Sequence, residues 1–358
     1  MALISDLKSK YRTISVVGMA KNAGKTTTLN YLIEEAMDEG IRLGITSTGR
    51  DGESIDVATG TEKPKIYLYP ETLVSVPSSL FEYATANLEI LRMTKYHTSL
   101  GPAMICRVVD GGDVQIAGPV LTKDQLNISK DMLNLGAEMV LIDGAIDRKS
   151  IASPETSDAI ILATGAVLSR NMQKVVAETA YVASLYSLKA IDDADLKKLF
   201  YTSEKITIVA STDNQKPNWQ NAESLNDYTK IGESQFVREL DIKTGIASSN
   251  IIDEAIDEQT KYVYIPGALT NSVIENIHPK KFQHVTFVVK DATRIFLSSN
   301  NWQRLIKKGF NLKVLNQINI AAISINSTSP EGYVFEREEF MVAMKSAMPG
   351  IQIIDVKQ

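Results

Sequence analysis

The chain has 358 residues, of which 44% are hydrophobic and 23% are charged, a balance typical of globular proteins and incompatible with disorder. The net charge of −5 argues against nucleic acid as the main partner, and the single cysteine, Cys106, excludes an intrachain disulfide. The first residues lack the apolar core of a signal peptide, and no run approaches the roughly 18 apolar residues of a membrane span. We therefore expect a cytoplasmic protein that binds neither nucleic acid nor a membrane.

Short β-branched apolar runs alternate with helical patterns along the chain. Residues 14–17 predict a strand, and residues 25–38 carry apolar residues at the spacing of a helix with one buried face, which Gly40 would stop. Further strands are predicted near residues 41–47, 65–69, 103–109, 113–118, 138–143, 158–163, 205–210, 261–266, 284–289, 318–325 and 351–356. This alternation predicts an α/β fold with a doubly wound, mostly parallel sheet, helices on both of its faces, and a second α/β region.

Two features suggest how the chain is divided. Residues 110–113 read Asp-Gly-Gly-Asp between apolar runs, which predicts a hairpin turn and an antiparallel excursion inside the first domain. Residues 211–240 are polar and predict a linker or a surface insertion. The expected domains are a nucleotide-binding domain at 1–210 and a C-terminal α/β domain at 241–358.

The segment 18–27 has the composition and the position of a phosphate-binding loop. It follows a predicted strand and opens a predicted helix, so its backbone N–H groups and the helix dipole can face a phosphate. Lys25 would neutralise phosphate oxygens, and the Thr26 hydroxyl would coordinate Mg²⁺. Five residues separate the first glycine from the Gly24–Lys25 pair where the usual pattern has four, so either the loop is one residue longer or Ala20 takes the first glycine's place. The predicted nucleotide-binding residues are Gly18, Lys21, Asn22, Ala23, Gly24, Lys25, Thr26 and Thr27.

A second motif is the acidic residue that ends the apolar run 138–143. Asp143 is predicted to orient the magnesium ion and, with Lys25, to act in catalysis, although a solvated aspartate after a strand is the plain alternative. Asp147 and Arg148 follow closely. They would either touch the γ-phosphate or form a surface ion pair.

The turn after the second predicted strand contributes further acidic residues. Asp51 is predicted as a catalytic and metal-binding residue, with Glu53 and Asp56 as weaker candidates, because carboxyl ends of neighbouring strands share one crevice. An acidic surface turn is the alternative. A residue near Asp51 or Asp147 would orient the attacking water.

Two later strand ends face the same predicted crevice. The small residues 163–166 suit either a ligand contact or close helix packing. Asn326, which precedes a Ser- and Pro-containing turn, would either hydrogen-bond a nucleotide base or cap that turn.

The residue sequence and length of the loop 18–27 resemble those of the corresponding loops in dethiobiotin synthetases and in the GTP-binding accessory proteins of molybdopterin-guanine dinucleotide biosynthesis. Both belong to the dimer-forming class of P-loop NTPases that includes the MinD and nitrogenase iron proteins. The resemblance implies a homodimer that pairs across its nucleotide sites. It also implies a role for Lys21 in the partner's active site, although Lys21 lies one residue later than the signature lysine of that class.

The stretches 16–36, 44–53, 158–172 and 324–335 are also similar to accessory subunits of the lysine 5,6-aminomutase reactivating system. That resemblance implies a nucleotide-driven switch that reactivates a cobalamin-dependent lysine aminomutase by removing damaged cobalamin. It also implies a companion ATPase subunit as a second protein partner. A ligase or kinase of the dethiobiotin synthetase type and a non-catalytic nucleotide-binding module are the alternatives. The expected cofactors are Mg²⁺ and ATP or GTP, with ATP favoured because no Asn-Lys-x-Asp base-reading motif occurs.

Overall fold

A computed structural model describes residues 2–48, 66–144, 155–211, 228–231, 235–242 and 248–356. The chain forms two compact units. The first contains Met1–Ala183 together with Asn319–Gln358, and the second contains Ser184–Ile318. The last forty residues therefore return to the unit that the first half of the chain begins.

A sheet of nine described strands organises the first unit. Its order is β19-β18-β9-β1-β8-β2-β4-β6-β5, and the seven strands from β19 to β4 run parallel. The strand bounds are β1 Thr13–Gly18, β2 Leu43–Ser47, β4 Leu73–Pro77, β5 Asn87–Thr98, β6 Gly101–Asp110, β8 Met139–Asp143, β9 Ala159–Gly165, β18 Ile320–Asn326 and β19 Ile353–Asp355. The predicted α/β fold with a mostly parallel sheet is confirmed.

Three of the described helices of this unit pack on the sheet through two separate hydrophobic clusters. The helices of the unit are α1 Leu3–Lys10, α2 Lys25–Asp38, α3 Thr122–Asn134, α4 Met172–Tyr186, whose last residues belong to the second unit, and α9 Arg337–Ala347. Met139 and Leu141 of β8 pack in the cluster that contains α1 and α2, whereas Val140 and Ile142 pack with α3. Because neighbouring strand residues point to opposite faces, α2 and α3 lie on opposite sides of β8. None of the helices in the described ranges has the length and apolarity that crossing a membrane requires.

The antiparallel excursion exists, but the predicted hairpin at 110–113 is wrong. β5 and β6 form the antiparallel pair, whereas β7, Gly112–Val114, pairs with β3, Ile66–Leu68. A β-carbon on Gly112 would lie 2.5 Å from the Ala86 nitrogen. The glycine is needed for close backbone packing and not for a two-residue turn.

The second unit contains a six-stranded sheet of order β11-β12-β10-β13-β15-β17. The pairings of β11 with β12, of β12 with β10 and of β10 with β13 are antiparallel, whereas β13, β15 and β17 are parallel. The strand bounds are β10 Ile206–Ser211, β11 Tyr228–Ile231, β12 Gln235–Leu240, β13 Thr260–Ile265, β14 Leu269–Thr270, β15 Thr286–Val289, β16 Ile295–Phe296 and β17 Asn311–Val314, and β14 pairs with β16. The helices are α5 Ala194–Thr202, α6 Ser248–Ala255, α7 Asn271–Ile274 and α8 Ser299–Lys307.

The observed division differs from the predicted domains 1–210 and 241–358. Residues 211–240 were expected to separate two domains, but β11 and β12 lie there; β12 pairs with β10, and β11 pairs with β12, inside the second unit. The first unit instead continues at Asn319, because β18 pairs with β9 in the large sheet. The polar stretch 211–240 therefore lies within one unit and does not separate two. Residues 212–227 and 232–234 lie outside the described residues.

Cys106 on β6 provides a probe of the first unit's integrity. Its side chain is fully buried, and burial raises the pKa of its thiol to about 12. Since the thiolate is the reactive form, alkylation at pH 8 should be slow in the native protein and should accelerate in proportion to unfolding. Mass spectrometry of iodoacetamide-treated protein in increasing urea measures this, with the fully denatured chain as the reference rate. Stoichiometric labelling in native buffer at that reference rate would contradict the packing of β6.

Candidate functional site

A tight loop connects the end of β1 to the start of α2. The Met19 N–H donates to the Ala163 carbonyl at 2.9 Å, so the loop leaves the sheet beside β9. Asn22 and Gly24 then adopt left-handed backbone conformations, with φ of 62° and 103°. These two residues turn the chain back into α2, which begins at Lys25 as predicted. Glycine takes such a conformation without steric cost, whereas an asparagine does so less often.

Gly18 is the close-approach glycine of this loop. A β-carbon at Gly18 would lie 2.9 Å from Cγ of Lys25, so the lysine stem passes where any other residue would carry a side chain. The Ala20 carbonyl instead accepts the Ala23 N–H at 3.3 Å, inside the turn. Of the two alternatives, this geometry fits a loop that is one residue longer, with Gly18 as its first glycine.

The Lys25 ammonium group lies against the end of β8. It donates a hydrogen bond to the Gly144 carbonyl and lies 3.7 Å from Oδ1 of Asp143. The side chains of Lys25 and Asp143 are 12% and 20% exposed, so both charges are largely withdrawn from water. Parallel pairing of β1 with β8 sets Val16 opposite Asp143, and the Gly144 N–H donates to the Val16 carbonyl at 3.1 Å. The predicted cation and the predicted carboxylate therefore meet at the carboxyl ends of adjacent strands.

The end of β2 lies beside the same carboxylate residue. The Thr48 N–H donates to the backbone carbonyl of Asp143 at 2.9 Å. This contact brings the start of the predicted acidic turn to the edge that holds Lys25. The residues of that turn and of the next loop that were predicted as candidates lie outside the described residues, namely Asp51, Glu53, Asp56, Asp147 and Arg148.

Asn326, at the end of β18, packs directly on the loop. Its Cβ lies 3.2 Å from the position that a β-carbon on Gly24 would take. Its side-chain Oδ1 accepts the Thr328 N–H at 3.1 Å, which is the turn-capping interaction predicted as one alternative. Gly165 at the end of β9 lies so close to the Asn326 carbonyl that a side chain there would collide with it. Close packing is thus observed at one of the small residues predicted in 163–166.

The remaining predicted loop residues differ in how far they are buried. Lys21, Thr26 and Thr27 are half-buried, Ala23 is buried, and Asn22 is exposed. The sequence reasoning missed Thr28 and Ser324, whose buried hydroxyl groups lie 2.7 Å apart. A signal for Thr28 existed, since it falls on the buried face of α2, where a hydroxyl needs a partner.

No group of three or more histidine, cysteine, aspartate or glutamate side chains that could hold a metal ion occurs in the part of the chain that the structure describes. Of the predicted acidic ligands, the described residues contain Asp143. A metal held at this edge would need ligands that the described side chains alone do not supply.

Comparison of this chain with models of protein families, with curated proteins and with solved structures finds no match. What the site can do is therefore inferred from its own geometry.

Replacing Gly24 by alanine should destabilise the first unit more than the same change at Gly40. Both glycines have positive φ, of 103° and 64°, but only Gly24 has a neighbour, Asn326, within 4 Å of the added methyl group. Gly40→Ala should lose about 1 kcal/mol to the left-handed conformation. Gly24→Ala should lose at least as much, because its φ of 103° lies outside the left-handed helical region, and roughly 1 kcal/mol more from overpacking. Urea unfolding of both variants measures the difference. Equal losses would mean that Asn326 does not pack on the loop.

Proposed function

We propose that the first unit binds a nucleoside triphosphate with Mg²⁺ on the loop 18–27 and hydrolyses it. The observation that carries this proposal is the Lys25 ammonium group, held at the carboxyl ends of β1 and β8 beside Asp143. A largely buried lysine next to a glycine-bounded turn and a helix N-terminus is the arrangement that phosphate recognition requires.

The helix N-terminus adds to the attraction for an anion. Gly24 occupies the N-cap of the 14-residue helix α2 and has no side chain to accept hydrogen bonds from the first turn. The N–H groups of that turn have no partners within the helix, and together with the helix dipole they favour a bound negative charge. No acidic residue lies in the first turn to compete for that position.

The strand order supports a doubly wound arrangement around β1. The chain passes from β1 to β2 and back to β8 on one side, and then crosses to β9 and β18 on the other. In such sheets ligands bind at the carboxyl ends of the strands, at the point where the order reverses. Gly18, Asp143 and Gly165 end the three strands at that point.

The residues present fit a magnesium ion that is shared with phosphates. Mg²⁺ is usually bound through one or two protein ligands, several waters and the phosphates themselves, so a cage of carboxylates is not required. Asp143 would hold the ion, directly or through water, and the Thr26 hydroxyl on the first turn of α2 would bind it from the loop side. When bound, Mg²⁺ neutralises charge that develops on the phosphate oxygens.

In the proposed reaction, the oxygen of a water molecule bonds to the γ-phosphorus as the bond to the bridging oxygen breaks. Inorganic phosphate, the nucleoside diphosphate and one proton from the water are released. Lys25 and the loop N–H groups stabilise the negative charge in the transition state and hold the phosphates in line with the water. The aminomutase and ATPase partners, the homodimer and the choice between ATP and GTP stay predictions from the sequence.

Lys25→Ala should lower the affinity for ATP or GTP by about 10- to 100-fold, because a charge-assisted hydrogen bond to phosphate contributes about 1.5–3 kcal/mol. Lys10→Ala is the matched control, since it removes an equal charge from an exposed ion pair with Asp6. Isothermal titration calorimetry with both nucleotides measures the effect, and circular dichroism checks the fold. A folded Lys25→Ala protein with wild-type affinity for both nucleotides would remove the proposed site.

Asp143→Asn should reduce nucleotide hydrolysis by about 100-fold, the scale of losing one electrostatic contact to the transition state. Nucleotide affinity without Mg²⁺ should stay close to that of the wild type, since the amide is nearly isosteric and the carboxylate acts through the metal. Asp158→Asn is the control, because its carboxylate binds the Arg12 and Thr13 N–H groups at the opposite edge of the sheet. If Asp143→Asn hydrolyses nucleotide at the wild-type rate, Asp143 does not hold the ion.

A further inference from the structure

Two buried hydroxyl groups join β18 to the base of the loop 18–27. Thr28 and Ser324 are 0% and 2% exposed, and their side-chain oxygens lie 2.7 Å apart. The two residues are 296 positions apart in the chain. Nothing in the proposed chemistry of Lys25 and Asp143 requires this contact.

The Thr28 hydroxyl contacts two hydrogen-bond acceptors. The Thr28 Oγ1 lies 2.9 Å from the Gly24 carbonyl, to which the Thr28 N–H also donates at 2.9 Å. A carbonyl oxygen can only accept, and a hydroxyl has a single proton to donate. The Thr28 hydroxyl is the donor in both contacts, so its proton is shared between the Gly24 carbonyl and the Ser324 hydroxyl oxygen.

This chain of hydrogen bonds fixes the orientation of the Gly24 peptide. Two donors draw the Gly24 carbonyl toward α2, and the Asn326 Cβ approaches Gly24 from the other side. A phosphate-binding loop needs such an orientation because a carbonyl oxygen turned toward a phosphate would repel it, whereas N–H groups attract it. An ordered loop also binds more tightly, since less conformational entropy is lost on binding.

We propose that Ser324 and Thr28 are positioning residues that hold the loop 18–27 in its phosphate-binding conformation. The inference rests on the proposed nucleotide site and extends it to a residue on β18. The second unit precedes β18 in the chain, so the loop acquires this support from a strand that is synthesised after that unit.

The chain contains a matched control. Thr179 on α4 donates to the carbonyl four residues earlier, Val175, at 2.8 Å and lies 2.9 Å from the Thr164 hydroxyl on β9. Both threonines are fully buried. This pair repeats the helix-to-strand contact of Thr28 and Ser324 on a different helix, α4, and a different strand, β9.

The test compares Thr28→Val, Ser324→Ala, Thr28→Ser and Thr179→Val in the full chain. Thr28→Val and Ser324→Ala should each weaken binding of a non-hydrolysable ATP or GTP analogue with Mg²⁺ by about fivefold, the effect of losing one hydrogen bond. They should also speed amide hydrogen exchange of residues 19–24 in nucleotide-free protein. Thr28→Ser should keep wild-type values, and Thr179→Val should lower the urea midpoint while leaving affinity and loop exchange unchanged.

Wild-type affinity and unchanged loop exchange in folded Thr28→Val and Ser324→Ala would overturn the inference while leaving the nucleotide site intact. An equal effect in Thr179→Val would also overturn it, because the loss would then reflect stability alone. If the wild type binds neither analogue, the proposed function fails. The exchange of residues 19–24 then still decides whether these hydroxyls order the loop.

Discussion

The arrangement at the carboxyl edge of the large sheet depends on where the Lys25 ammonium group is held. It hydrogen-bonds to the Gly144 carbonyl beside the Asp143 carboxylate, and both residues are mostly buried. A charge in this position is costly unless it has partners, so the local structure must supply them. Parallel pairing of β1 and β8 does so by setting the two strand ends side by side. The missing side chain of Gly18 leaves the space through which the lysine reaches them.

The loop that carries Lys25 is also contacted by two distant parts of the chain. The loop after β1 is contacted on one side by β8 and on the other by β9 and β18. Strand β18 begins only at residue 320, after the whole second unit. Asn326 packs on Gly24, and Ser324 bonds to Thr28 in the first turns of α2. The candidate site is therefore complete only when the C-terminal segment has returned to the sheet.

Much of the first unit could be predicted from local patterns. The β-branched runs 14–17 and 138–143 correspond to β1 and β8, and the helical spacing after Gly24 corresponds to α2. These predictions were correct because the spacing of apolar residues over a short window shows which face of a helix or strand is buried. The joint position of Lys25 and Asp143 also followed, since parallel strands end at one edge of a sheet.

Other features could not be read from local patterns. The glycines at 111 and 112 suggested a turn, but they serve close packing, Gly112 against Ala86 and Gly111 against Tyr67, partners that no local rule identifies. Likewise, the polar stretch 211–240 indicated solvent exposure and not a domain boundary. Strand pairing between residues distant in the sequence determines which segments belong to one unit. The contact of Ser324 with Thr28 could not be predicted either, because the residues that flank each of them in the sequence give no indication of its partner.

The most direct test of the account is a crystal structure of this protein with a non-hydrolysable ATP or GTP analogue and Mg²⁺. In that structure, residues 18–27 should surround the phosphates, and the Lys25 ammonium group should move from the Gly144 carbonyl to a phosphate oxygen. Asp143 should lie at the magnesium ion, directly or through one water. A triphosphate bound elsewhere, with Lys25 still on Gly144, would contradict it.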